Sequence, residues 1–68
     1  MGTVARVTEI SATSSVGFED AIKIGVERAG KTLRNVTSAW VKEQRVDVAD
    51  GGIVSYQVNL LVTFVLDD

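Results

Sequence analysis

At 68 residues, with a net charge of −2 and neither cysteine, histidine nor proline, the chain reads as one small domain, 1–68, that lacks disulfides and the usual ligands for zinc, copper or haem. So short a chain buries a modest share of its surface, and its 46% hydrophobic content points to self-association as the missing support. The seven basic residues form no block that would track a phosphate backbone, no apolar run is long enough for a bilayer span, and MGTVARVTE has no secretory pattern. The expectation is a cytoplasmic protein without nucleic-acid or membrane partners.

Residues 3–10 (TVARVTEI) mix β-branched and charged side chains as a half-exposed strand does. Residues 11–15 (SATSS) then offer hydroxyls able to cap a helix, and Glu19 and Asp20 follow where negative charge suits a helix N-terminus. Over 16–34, Phe18, Ile22, Gly25, Val26, Ala29 and Leu33 recur three or four apart and predict an amphipathic helix. Gly25 and Gly30 weaken it, and close packing against a sheet would explain both. Lys31 and Arg34 fall in its last turn, and Asn35 suits a left-handed cap.

The run 36–48 has strand composition but is long and irregular, so a bulge or strong twist is expected. Asp50-Gly51-Gly52 marks a tight turn. Residues 53–66 alternate clearly: Val54, Tyr56, Val58, Leu60, Val62, Phe64 and Leu66 form the face that receives the helix. The opposite face, Ile53, Ser55, Gln57, Asn59, Leu61, Thr63 and Val65, carries no charge at all, which points to cover by other copies or a ligand.

The order strand, helix, strand, strand, with EISATS (9–14), RAGKTLRN (28–35), WVKEQR (40–45), SYQV (55–58) and VTFVLDD (62–68), resembles the dodecin family almost end to end. That resemblance implies an α+β, β-α-β-β fold in which a three-stranded antiparallel sheet wraps one helix, and a hollow homododecamer. It also implies flavin storage or sequestration, with FMN or riboflavin stacked between subunits. Some members bind coenzyme A and one branch binds calcium.

Flavin-binding dodecins carry a stacking tryptophan shortly after the helix; here that position is Ser38, and Trp40 stands two residues later. Gln57 and Arg45 match family positions that contact or neighbour the ligand, whereas an arginine common near the C-terminus is Val65 here. Two residues along a strand return to the same side roughly 7 Å away, so Trp40 can face the same cleft as Ser38. Two readings of Trp40 stay open, a displaced stacking ring and a subunit contact.

Gln57 has the parallel alternative of a bond across a subunit boundary, and Arg45 that of an exposed ion pair. The carboxylates Glu9, Glu43, Asp47, Asp50, Asp67 and Asp68 match no calcium loop, so a metal site would need assembly between chains. With no histidine or cysteine, no nucleophile elbow and no glycine-rich phosphate loop, the chain is not expected to be an enzyme. The expected function is flavin binding with an altered stacking site. The alternatives are a shell that binds coenzyme A, another small molecule or Ca²⁺, or one that is purely structural.

Overall fold

The computed structural model describes residues 2–67, so Asp68 of the carboxylate set lies outside the described residues. Four elements follow in order: β1 (Ala5–Ser14), α1 (Phe18–Thr32), β2 (Val36–Ala49) and β3 (Gly52–Val65). The strands form one antiparallel sheet in the order β1-β3-β2, with the alternating strand β3 in the centre. This is the expected β-α-β-β fold.

The core sits between α1 and the middle of the sheet. Val58, Leu60 and Val62 of β3 are fully buried against Ala12, Ala21 and Ala29, with Ile10, Phe18, Ile22, Leu33 and Val36 packed around them. Phe18 meets Tyr56 edge to face at 5.1 Å. Contrary to the expected seven-residue core face, Val54 and Leu66 are exposed, and Leu66 lies beyond the end of β3. The reason is length: fifteen helical residues span about 22 Å, whereas fourteen strand residues span about 46 Å. The helix therefore covers only the strand's middle, and Val46, Val48, Ile53 and Val54 are left open on the β2-β3 hairpin.

Gly25 is where helix and sheet come closest. A Cβ there would sit 2.8 Å from Leu60 Cδ1 and 3.1 Å from Ala12 Cβ, so only glycine fits without displacement. Gly30 has nothing within 4 Å of such a Cβ, and close packing does not explain it. Ala21 joins the buried stripe in place of Val26, which is exposed.

Several predicted boundaries move. β1 runs on to Ser14 instead of ending at residue 10, because residues 11–14 pair with residues 56–59 of β3. Their small side chains suit a strand beneath a closely packed helix: Ala12 and Ser14 are buried under it. The helix cap is Gly17, which makes no side-chain cap bond. Ser14 still ties the helix start down, but from the strand: its hydroxyl donates to Asp20 Oδ2 at 2.6 Å and accepts from the Val16 amide at 2.9 Å.

At the other end the helix stops at Thr32, and Leu33 turns extended with its amide bonded to the Ala29 carbonyl. Arg34 is thus outside the helix and pairs with Asp67 at 3.2 Å. Asn35 is left-handed as expected, at φ 61°, but it serves the entry to β2: its carbonyl accepts from the Val65 amide, and its Nδ2 donates to Asp67 Oδ1 at 2.7 Å. Asp50 and Gly51 both have positive φ, 51° and 79°, the requirement of a two-residue type I′ hairpin turn.

Candidate functional site

The outer face of the sheet, away from the helix, gathers the four predicted site residues in parallel cross-strand rows. Ser38 pairs with Thr63 and, beyond it, Val7; Trp40 with Leu61 and Glu9; Glu43 with Asn59 and Ser11; Arg45 with Gln57 and Thr13. Ser38 and Trp40 do share a face, since no register shift falls between them.

Arg45 reaches that face for a different reason. Five residues separate it from Trp40, and strict alternation would turn it toward the helix side. A register shift between Val41 and Glu43 makes Lys42 the extra residue and restores Glu43 and Arg45 to the outer face. The irregularity expected of β2 is therefore what turns Glu43 and Arg45 to this face; further shifts fall between Val36 and Ser38 and between Asp47 and Val48, the last leaving Val54 of β3 without a partner residue.

Polar groups on this face are joined across all three strands. Gln57 Nε2 donates to Ser11 Oγ at 2.9 Å and to Asn59 Oδ1 at 3.3 Å, and Asn59 Nδ2 donates to Glu43 Oε1 at 3.1 Å. Glu43, Arg45, Gln57 and Asn59 border a recess of about 160 Å³. Lys42 spans β3 to pair with Glu9 at 3.2 Å, and Arg45 lies 3.8 Å from Asp47, which accepts from the Ser55 hydroxyl at 2.7 Å. The two ion pairs are about half exposed and contribute little to stability.

Trp40 stands at the edge of this network with 65% of its surface exposed. It is two rows from Gln57, about 13 Å along β3. Ser38 is one row farther away, and Val65, paired with Ala5, lies beyond that. An exposed aromatic face and a polar recess on one sheet surface fit a flat heterocycle with a polar edge. A wider opening of about 610 Å³ lies on the other side of the sheet between β1 and α1, lined by Ile10, Ile24, Arg28 and Leu33; none of the four predicted residues borders it.

Sequence reasoning did not single out Ser11 or Asn59 as partners of Gln57. The alternation of β3 puts Asn59 beside Gln57, but the register that brings Ser11 and Glu43 alongside comes from long-range pairing. Among the described residues, no group of three or more carboxylates converges as a metal site.

Comparison with known proteins settles the family. The dodecin family model matches residues 4–67. The chain belongs to the dodecin family. It is 41% identical to the dodecin of Thermus thermophilus over 68 residues, covering all of this chain and 99% of that one. The structure of the dodecin from Streptomyces davaonensis superposes with a TM-score of 0.94 at 40% identity, with full coverage of both chains. A calcium-chelating dodecin from Mycobacterium tuberculosis, described as having a novel calcium-binding site, matches at 31% identity and a TM-score of 0.82, over 96% of this chain and 93% of that one. Dodecins are binding proteins that form oligomers. No described helix is long and apolar enough to cross a membrane.

Proposed function

We propose that the protein, one domain over residues 1–68, binds FMN or riboflavin on the outer sheet face between neighbouring copies, and stores or sequesters it in the cytoplasm within a hollow homododecamer. The observation that carries this reading is the sharing of one face by the exposed Trp40 indole and the polar recess around Gln57 and Arg45. Trp40 supplies the stacking surface, displaced one row from Ser38; Gln57 engages the polar edge of the ring; Arg45 steadies a phosphate or the ring's carbonyl side. The flavin supplies redox chemistry where it is bound, and the chain's own residues hold and orient the ring. With no histidine or cysteine to act on it, the protein is a carrier and not an enzyme.

Ser38 and Val65, which replace a family tryptophan and arginine, favour a second reading. It is a dodecin shell that holds coenzyme A, another small molecule or Ca²⁺ instead of flavin.

Titration of riboflavin and FMN with the purified protein separates the two. Flavin storage requires fluorescence quenching that saturates at a fixed flavin-to-chain ratio. No quenching at high protein concentration, with coenzyme A or Ca²⁺ raising the melting temperature, overturns it in favour of the second reading.

A further inference from the structure

Gln57 spends both hydrogens of its side-chain amide inside the chain, one on Ser11 Oγ and one on Asn59 Oδ1, while its Oε1 accepts no hydrogen bond among the described residues. A carboxamide is free to present either end, so something must choose the direction. Asn59 alone cannot, since it is also a carboxamide and would turn with its neighbour. Glu43 can: an ionised carboxylate only accepts, so it demands the Nδ2 end of Asn59. That leaves Asn59 Oδ1 for Gln57, draws Gln57 Nε2 inward and leaves Oε1 facing out.

The neighbouring cations do not compete for this carboxylate. Lys42 pairs with Glu9 and Arg45 with Asp47. The bulge at Lys42 sets Glu43 on the same row as Asn59, so the relay depends on the same irregularity that brings Arg45 to the site.

We propose that Glu43 is a positioning residue which, through Asn59, fixes the Gln57 carboxamide with its oxygen outward and so selects ligands whose polar edge carries a ring N–H. The proposal rests on the reading of this face as the ligand site. Ser11, whose oxygen accepts from Gln57, keeps its own proton to donate outward, so the surface offers an acceptor beside a donor. An imide edge, with N–H flanked by carbonyls, is the complement of that pair, and the pyrimidine edge of a flavin is such an imide.

The test compares riboflavin with 3-methylriboflavin, in which that N–H is replaced, by fluorescence quenching. The parent is expected to prefer riboflavin about tenfold or more, because a methylated edge leaves Gln57 Oε1 unpaired. Glu43→Lys places a donor at the end of the relay, reverses Asn59 and Gln57, and is expected to bring the ratio to about one; Glu43→Gln, a third carboxamide that can turn with Asn59 and Gln57, no longer sets the direction and is expected to give a ratio between that of the parent and one. A merely structural role for Glu43 would weaken both ligands together and leave the ratio unchanged, which overturns the proposal.

NMR on the ligand-free protein reads the relay separately. Contacts from the Gln57 side-chain amide protons to the Ser11 β-protons are expected in the parent and absent in Glu43→Lys. Their persistence in the variant overturns the relay. If neither flavin binds the parent, the flavin reading and the ligand selection both fall, and the NMR result alone decides whether Glu43 sets the direction of Gln57.

Discussion

Along β3, the side chains facing the helix and those facing away are chosen by different physics. On the helix side Val58, Leu60 and Val62 are fully buried, all aliphatic, and defined by volume. On the outer side Gln57, Asn59, Leu61 and Thr63 are half-buried and chemically unlike one another, and two of them are held in one direction by hydrogen bonds. Filling space stabilises the chain; oriented donors and acceptors are what the proposed ligand site requires. One strand does both because its side chains alternate.

The largest expected effect breaks the inner face. Leu60→Ala removes a fully buried side chain beneath Gly25 and is expected to cost about 2 to 5 kcal/mol in urea denaturation. A loss well under 1 kcal/mol would show that this face is not the core.

Leu61→Asp, one residue along, tests the outer face. It sets a carboxylate opposite Glu9 and beside Trp40, where like charges repel and where other copies are proposed to pack. The chain is expected to keep its secondary structure by circular dichroism while sedimentation shows the proposed twelve-chain assembly replaced by smaller species. A fully assembled variant contradicts cover of this face by other copies.

Trp40→Ala distinguishes the two uses of the outer face. Loss of a stacking ring is expected to weaken flavin binding by about ten- to a hundredfold, and Ser38→Trp to strengthen it. Unchanged affinity with a looser assembly would make Trp40 a subunit contact. Gln57→Ala is expected to weaken binding by about 0.5 to 1.5 kcal/mol.

The smallest effect belongs to the ion pair over β3. Lys42→Ala is expected to lower stability by no more than about 1 kcal/mol, less at high salt, because both partners are nearly half exposed. A larger loss that persists in salt would mean Lys42 has a partner in a neighbouring chain.

Much of this comparison was legible beforehand. The two faces of β3 follow from alternation, and Leu60 and Gln57 fell on their correct sides. The extent of the core did not follow, because Val54 and Leu66 belong to the apolar pattern but lie beyond the reach of a shorter helix. The segment 11–15 misled for a related reason: small polar residues suit a helix cap and also a strand pressed under a helix, and only the pairing of Ala12 with Val58 tells them apart. Trp40, Ser38, Arg45 and Gln57 were recognisable as candidates, whereas Ser11, Asn59 and Glu43 became partners of the site only through registers spanning up to 46 residues of sequence.

What the sequence determined by itself is local. The left-handed Asn35, the Asp50-Gly51 turn, the helical stripe and the two-residue period of β3 arise from backbone sterics and side-chain spacing within a few residues, so they can be read from the string. The tertiary structure decided where β1 ends, which residue of β2 is the extra one, and hence that Arg45 and Glu43 face Gln57 and Asn59 instead of the helix. A one-residue slip turns every following side chain to the other face, and the position of that slip is set by pairing with a distant strand.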